Sequence, residues 1–207
     1  MNKQKDLWER LAKKNPRYFI NSDKGRGITE EQFRESGESA YQKLVAQDEL
    51  LKGRESILDF GCGTGRLTEF MAKDFKKVIG VDISATMIAQ GKDRLKDLKN
   101  VELFETDGAS IPLPDNSVEF VFSYLVFQHI KEREMVENTF KEIYRVLTSG
   151  GVFRVLLRSD KQKDMSRWWS GVEYNEESIR ELYEKIGFVL LKLEHQDKYA
   201  FWLWLQK

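Results

Sequence analysis

The chain has 207 residues, enough for one well-buried domain, and its 34 basic and 34 acidic residues give a formal net charge of zero. No strongly basic block is present, so nucleic acid is not an expected partner. The single cysteine, Cys62, excludes an intramolecular disulfide and a zinc site built from cysteines, and we predict no metal centre. The N-terminus lacks the apolar core of a signal peptide, and no run approaches the roughly 20 apolar residues of a membrane span. We therefore expect a cytoplasmic protein with no membrane partner.

Residues 1–50 are predicted to form a helical cap before the first strand. Apolar spacing around Leu11 predicts one helix, which Asn15-Pro16 interrupts. The capping box Thr29-Glu30-Glu31-Gln32 begins a second amphipathic helix. The connection between these helices has two open interpretations: a plain cover for the sheet, or a lid over a ligand with Tyr18 reaching into the site.

From residue 55 onward, strand and helix patterns alternate along the chain. Five apolar runs are predicted as strands, and their alternation with helices implies right-handed crossovers and a parallel sheet covered on both faces. At the end, Phe188–Glu194 and Tyr199–Gln206 are joined by a short polar turn, which permits an antiparallel hairpin but no parallel crossover. The five predicted parallel strands are Ser56–Phe60, Val78–Val81, Val101–Glu105, Val118–Ser123 and Val152–Leu157.

A glycine-rich turn follows the first predicted strand, in the stretch Ile57-Leu58-Asp59-Phe60-Gly61-Cys62-Gly63-Thr64-Gly65-Arg66. Glycines allow a tight bend and a close approach of the backbone to a ligand, and the next helix presents unpaired N–H groups and a positive dipole end. The dinucleotide fingerprint would require a third glycine where Arg66 stands, so an NAD-dependent oxidoreductase is the weaker interpretation. We interpret Cys62 as a small packing residue rather than a reactive thiol.

Polar residues follow the carboxyl ends of the predicted parallel strands, where ligands bind in open α/β sheets. Asp82 lies 21 positions after Gly61, a separation at which a carboxylate can accept both ribose hydroxyls. The alternative is that Asp82 is a helix-start charge beside Ser84. Asp107 follows the third strand and Ser123 the fourth. We expect these polar residues to converge.

Five motifs, in the order found here, resemble those of class I S-adenosylmethionine-dependent methyltransferases of the small-molecule branch (type 11/25-like). The resemblance spans roughly residues 55–157, and the pattern at Tyr174–Phe188 extends it. It implies an α/β, Rossmann-like, seven-stranded and mostly parallel sheet of order 3-2-1-4-5-7-6, with the last strand antiparallel, helices on both faces and an N-terminal helical cover. The motifs are Ile57–Arg66, Val78–Ser84, Glu105–Ala109, Ile111–Glu119 and Tyr144–Gly151.

The resemblance implies S-adenosyl-L-methionine as the cofactor, with S-adenosyl-L-homocysteine as its product. By that resemblance the glycine turn surrounds the methionine portion, Asp82 holds the ribose and Asp107 bonds the adenine amino group. Ile83 and Met87 flank the adenine, although core packing explains Met87 equally well. The cofactor-binding set that it implies is Asp59, Gly61, Cys62, Gly63, Gly65, Arg66, Asp82, Ile83, Met87, Asp107, Gly108, Ala109 and Ser123.

Methyl transfer requires few catalytic groups from the protein, because the methyl group of S-adenosylmethionine is already activated by its bond to a sulfonium. The requirement is in-line placement of the nucleophile without competing water, and a base is needed only if the acceptor must lose a proton. His129 is the candidate base, although a histidine that fixes its loop through hydrogen bonds is the favoured interpretation. Tyr124 is the second catalytic candidate. The predicted acceptor pocket comprises Tyr18, Tyr124, Phe127, Gln128, Trp168 and Trp169.

The sequence thus predicts a methyltransferase that acts on an unidentified small molecule through oxygen, nitrogen or carbon. An adenine-N6 or protein-glutamine enzyme is disfavoured, because Ser123-Tyr124-Leu125-Val126 stands where those families carry an Asn- or Asp-Pro-Pro-Tyr-like motif. A protein that binds S-adenosylmethionine as a sensor, without turnover, is the alternative. We expect one methyltransferase domain over 1–207, with a cap (1–50), a cofactor-binding core (55–157) and a last part that holds the acceptor loop, helix and hairpin (158–207). Pathway and oligomeric state have no signature in the sequence.

Overall fold

The computed structural model describes residues 3–22, 25–51, 53, 55–160 and 171–207. The chain divides into two compact units, residues 1–108 and residues 109–207. Its organisation as a single methyltransferase domain with an N-terminal cap remains a prediction. Within the described ranges, no helix combines the length and the apolar character that crossing a membrane requires.

The first unit begins with helices, as predicted, but Pro16 starts a helix instead of only ending one. The Asn15 side chain accepts the N–H of Tyr18 and caps this short helix, and proline suits the first turn because that position needs no N–H donor. The capping box of Thr29 and Gln32 is present. The helices are α1 (Lys3–Lys14), α2 (Pro16–Ile20) and α3 (Glu30–Tyr41), the last continued by a π-helical turn at Gln42–Ala46.

Three parallel strands form the sheet of the first unit, in the order β3-β2-β1. Their register pairs Phe60 with Val81 and Asp82 with Glu105, so the carboxyl ends of all three strands lie at one edge. The Ser84 side chain caps the helix after the second strand by accepting the N–H of Met87. The elements are β1 (Ser56–Phe60), α4 (Thr68–Asp74), β2 (Lys77–Asp82), α5 (Ala85–Arg94) and β3 (Val101–Glu105).

The second unit holds the remaining strands, in the order β4-β5-β8-β7, with the short β6 beside β5. β4 and β5 are parallel, whereas β8 runs antiparallel to both β5 and β7, which confirms the predicted terminal hairpin. The Asn175 side chain caps the start of the last helix, and Gly187, with a φ of 107°, ends it. The elements are β4 (Val118–Ser123), α6 (Arg133–Val146), β5 (Leu147–Ser159), β6 (Glu173–Tyr174), α7 (Glu176–Ile186), β7 (Val189–His195) and β8 (Ala200–Gln206).

The strand order within each unit agrees with the predicted order, so the mixed α/β, Rossmann-like fold is confirmed. Two details differ. The two-residue β6 has no counterpart in the prediction and brings the strands of the described residues to eight. β5 begins at Leu147, five residues earlier than predicted, because Leu147 pairs with Val118 and the ladder resumes only at Phe120 and Val152. The glycines between them form a bulge, where a Cβ on Gly151 would lie 2.9 Å from a backbone carbonyl oxygen.

Aromatic packing on β8 explains the two tryptophans of that strand. Trp202 and Trp204 are two residues apart in β8, so their side chains lie on the same face of the sheet, and both are buried. The Arg154 guanidinium of β5 lies 4.5 and 4.4 Å from their ring centroids. Planar guanidinium groups stack well on indole faces. This arrangement is a packing role for both tryptophans.

Candidate functional site

The glycine turn between β1 and α4 has the bent backbone that its composition predicts. Gly61, Gly63 and Gly65 have φ angles of 81°, 56° and 82°, in the left-handed region that favours glycine. The N–H groups of Gly61 and Cys62 both donate to the carbonyl oxygen of Val81, at 2.8 and 3.0 Å. These bonds tie the turn to the end of β2.

Helix α5 and the neighbouring strands pack closely behind this turn. A Cβ on Gly65 would lie 2.4 Å from the Leu95 Cδ1 atom, and one on Gly80 would lie 2.8 Å from the Cys62 sulfur. Cys62 sits in an apolar cluster with Leu95 and Leu103, and burial raises the pKa of its thiol well above the ordinary value. This environment favours the packing interpretation of Cys62.

Asp82, at the end of β2, faces the glycine turn. Its Oδ2 atom accepts the N–H of Gly63 at 2.9 Å, and its Oδ1 atom accepts the N–H of Ser84 at 2.9 Å. Burial raises the pKa of Asp82 above the ordinary value, and these backbone bonds oppose the shift. A carboxylate has about four lone-pair sites, so Asp82 can support the start of α5 and still accept ribose hydroxyls. The two interpretations of this residue are therefore compatible.

Asp59, near the end of β1, is a buried acid behind the turn. Its Oδ2 atom accepts the Thr68 hydroxyl at 2.6 Å. Burial raises the pKa of Asp59 to about 6, while the Thr68 hydrogen bond and the charge of Arg66 act in the opposite direction. Thr68 begins α4 and is not among the predicted site residues, since a threonine at a helix start carries little signal. The contact anchors β1 to α4.

Arg66, the residue after the third glycine, lies against α3. Its side chain is buried, and its Nη1 atom donates to the carbonyl oxygen of Ser36 at 3.2 Å. A Cβ on Gly37 would lie only 2.4 Å from the Arg66 carbonyl oxygen. These contacts support a role for Arg66 in holding α3 beside the turn, and its predicted contact with the cofactor remains a prediction.

The other predicted cofactor residues of the first unit follow β2 and β3. Gly108 has a φ of 85°, and its N–H donates to the Thr106 hydroxyl at 3.2 Å. Asp107 is exposed beyond the end of β3, and Ile83 is half-buried after β2. Met87 is 1% exposed in α5, which favours core packing over an adenine contact.

Helix α2 lies directly over the glycine turn, through a residue that the sequence did not single out. A Cβ on Gly63 would be 2.9 Å from the Ile20 Cδ1 atom. Tyr18 packs its ring on Phe19, with centroids 4.9 Å apart, and under the Arg26 guanidinium at 5.7 Å, and its place in the site remains a prediction. An apolar residue in a short helix carries no functional signal, so only the structure identifies Ile20.

A group of charged residues ties the same turn to α2 and α3. Arg94 of α5 donates to the carbonyl oxygen of Gly65 at 3.1 Å and pairs with Glu30 at 2.9 Å. Glu30 also pairs with Arg17 of α2 at 3.1 Å, and Arg94 contacts Glu69 of α4. The half-buried Arg94 therefore connects the glycine turn to α3 directly and to α2 through Glu30.

The predicted site residues of the second unit lie at its start, at the end of β4 and in the turn after β4. Ser123 is buried, and Ala109, at the start of the unit, is exposed. Tyr124 is half-buried and stacks on Trp202, with ring centroids 5.6 Å apart and planes 13° from parallel. The stacking gives Tyr124 a fixed ring position, and its catalytic and acceptor roles remain predictions.

Phe127, Gln128 and His129 form a 3-10 turn after β4. Phe127 is 2% exposed in an aromatic cluster of the core, which favours packing over contact with an acceptor. The Gln128 amide nitrogen lies 3.2 Å from the Nε2 atom of His129. This contact agrees with the loop-fixing interpretation of His129. Trp168 and Trp169 lie outside the described residues.

Comparison with known proteins adds to this geometry. The family described as "Methyltransferase domain" matches residues 58–155, a range that contains every predicted cofactor-binding position. The demethylmenaquinone methyltransferase of Staphylococcus saprophyticus is 26% identical over 185 residues, which cover 74% of this chain and 78% of that protein. The malonyl-[acyl-carrier protein] O-methyltransferase of Marinomonas sp. is 31% identical over 144 residues, which cover 66% of this chain and 52% of that protein. The chain thus spans about half the length of the second relative.

Solved structures share the fold. A SAM-dependent methyltransferase from Aquifex aeolicus superposes with a TM-score of 0.62 at 22% identity, covering 86% of this chain and 98% of that one. A structural similarity at this level of sequence identity shows that the two proteins share a fold. The family match, by contrast, favours a methyltransferase over the oxidoreductase that Arg66 already disfavours.

Proposed function

We propose that this chain, a class I S-adenosylmethionine-dependent methyltransferase, transfers the methyl group to a small-molecule acceptor by direct in-line displacement. The observation that carries the proposal is the pairing of the left-handed glycine turn with Asp82, whose carboxylate accepts the N–H of Gly63. S-adenosylmethionine supplies a methyl group already activated on a sulfonium. The protein therefore contributes positioning and exclusion of water.

The residues of the first unit fit this cofactor. Glycine at the turn leaves the backbone free of Cβ atoms, so its polar groups can approach a ligand closely. We assign the turn to the methionine portion, Asp82 to the ribose hydroxyls and Asp107 to the adenine amino group. Ile83 supplies an apolar contact to the adenine. The exposure of Asp107 and the spare lone pairs of Asp82 support these assignments.

The cover helices are assigned the exclusion of water. Ile20 lies against Gly63 and presents an apolar side chain there. A dry site protects the transfer from competition by water and strengthens the electrostatic interactions within it. His129 would act as a base only for an acceptor that must lose a proton, such as an alcohol or a phenol.

The names of the relatives support small-molecule methylation without selecting one acceptor. One is named for demethylmenaquinone and the other for a malonyl group on an acyl carrier protein. Only the second name states the atom that receives the methyl group, an oxygen. We therefore propose the class, transfer to oxygen, nitrogen or carbon of a small molecule, and leave the individual acceptor to experiment.

Two measurements test the proposal. Calorimetry should show one site for S-adenosylmethionine and for S-adenosylhomocysteine, and absence of binding would refute the proposal. A single-turnover assay with methyl-labelled cofactor should then move label into a metabolite extract or into a panel that includes quinols and malonyl thioesters. Binding without transfer to any acceptor would instead support the alternative function, a protein that binds S-adenosylmethionine as a sensor and does not turn it over.

A further inference from the structure

Glu9 of α1 binds the amino end of α5 with three hydrogen bonds. Its Oε2 atom accepts the Ser84 hydroxyl at 2.7 Å and the Thr86 N–H at 3.1 Å, and its Oε1 atom accepts the Thr86 hydroxyl. These bonds lower the pKa of Glu9 to about 2, so the carboxylate is ionised at neutral pH. A negative charge at a helix amino end also interacts favourably with the helix dipole.

The partners of Glu9 belong to the segment that we assign to the cofactor. Ser84 donates its N–H to Asp82, and its hydroxyl accepts the N–H of Met87 while donating to Glu9. Asp82 in turn accepts the N–H of Gly63. A continuous series of hydrogen bonds therefore runs from α1 through the start of α5 to the glycine turn.

A second contact of α1 has a different character. Lys5 pairs with Glu105 at the end of β3, but both side chains are more than a third exposed. Exposed ion pairs contribute little, because solvent screens them and ordering two long side chains costs entropy. The Glu9 carboxylate is less exposed and pairs with Lys13 of its own helix at 3.3 Å. It also accepts three hydrogen bonds from the start of α5, so it has the greater capacity to hold α1 in place.

We propose that Glu9 is a positioning residue for the cofactor. By binding Ser84 and Thr86, it fixes the segment that carries Asp82 and Ile83 and keeps α1 closed beside it. Closure slows the release of S-adenosylmethionine and S-adenosylhomocysteine. The inference rests on the proposed function, since it takes Asp82 and Ile83 as cofactor contacts.

The substitution Glu9→Gln tests this role, with Asp6→Asn as its matched control. Both remove one negative charge from α1, but Asp6 is exposed. A glutamine offers one acceptor oxygen in place of two and cannot accept all three donors. We expect S-adenosylhomocysteine to dissociate about tenfold faster or more from Glu9→Gln in stopped-flow displacement, the range for loss of charge-assisted hydrogen bonds. The control should stay within about twofold of the unsubstituted protein.

Hydrogen exchange gives a second readout that needs no ligand. Amides of α1 should exchange faster in Glu9→Gln than in Asp6→Asn, while those of β4 and β5 should not change. Thr86→Val removes one donor from the other side of the contact. If Glu9 acts through Thr86, the two substitutions remove the same contact. The double variant of Glu9→Gln and Thr86→Val should then release S-adenosylhomocysteine more slowly than the product of the two single accelerations predicts.

The outcomes separate this inference from the proposed function. If the unsubstituted protein binds S-adenosylhomocysteine and Glu9→Gln releases it at the same rate, Glu9 does not position the cofactor. Equal acceleration by Asp6→Asn would also overturn the inference, because the effect would then be one of helix charge. If the unsubstituted protein does not bind S-adenosylhomocysteine, the proposed function fails first. Should Glu9→Gln not fold, Thr86→Val alone must still accelerate release, and an unchanged rate overturns the inference.

Discussion

Replacing Gly37 by alanine should destabilise the protein, although alanine is the better helix former. In the interior of α3, alanine would be favoured over glycine by roughly 1 kcal/mol. A Cβ at this position, however, would lie 2.4 Å from the Arg66 carbonyl oxygen and 3.1 Å from the Phe70 ring. The carbonyl belongs to the backbone, so no rotamer change can relieve the contact. Either α3 or the end of the glycine turn must move.

The expected size of the effect follows from two opposing quantities. Inserting a methyl group into a packed region costs about 1–3 kcal/mol, and occasionally more. A 2.4 Å approach to a backbone atom places Gly37→Ala at the upper end of that range. After the helix-propensity gain, we expect a net loss of roughly 1–3 kcal/mol in the free energy of unfolding. Because Arg66 directly follows Gly65, affinity for S-adenosylhomocysteine should fall as well.

Urea denaturation of Gly37→Ala and Gly27→Ala provides the comparison. Gly27 has no left-handed φ, and a Cβ there would have no atom within 4 Å. Gly27→Ala should therefore be neutral or stabilising by up to about 1 kcal/mol, through the lower entropy of the unfolded chain. If Gly37→Ala is as stable as the unsubstituted protein, the contact between α3 and Arg66 does not limit this position and the reasoning is wrong.

Three further predictions concern Asp82, Asp59 and Cys62. Asp82→Ala should weaken S-adenosylhomocysteine binding tens-fold or more in calorimetry, since loss of a charged hydrogen bond costs about 1.5–3 kcal/mol; affinity equal to that of Asp93→Ala, a change at an exposed position of α5, would remove Asp82 from the site. Burial raises the pKa of Asp59 from 3.8 to about 6, so its ionisation opposes folding; the penalty is absent below pH 4 and grows to about 3 kcal/mol above pH 6. In urea denaturation, Asp59→Asn should match the unsubstituted protein near pH 4 and exceed its stability above pH 6, and parallel pH profiles would contradict this. The Cys62 thiol should resist Ellman's reagent at pH 8 until the protein is denatured, and rapid reaction of the native protein would exclude a packing role.

Elements that depend on near neighbours follow from the sequence. The capping boxes at Thr29 and Asn175 satisfy helix ends with side chains three residues apart. The glycine turn adopts left-handed φ angles because glycine has no Cβ atom that would clash with the backbone in that conformation. Alternation of strand and helix periods, and the short link before β8, predict the parallel strands and the antiparallel hairpin. The family motifs then identify the cofactor.

Elements that depend on distant partners appear only in the tertiary structure. Glu9 meets Ser84 across 75 positions of chain, and nothing in the local pattern distinguishes this glutamate from its neighbours. Ile20 lies over the glycine turn, because the docking of α2 decides which of its residues meets Gly63. By itself the sequence determined the strands, the turn and the chemistry of the donor. Only the packing of helices α1, α2 and α3 decided which of their residues contact the turn and the start of α5. Helical periodicity specifies a buried face but not the partner that this face meets.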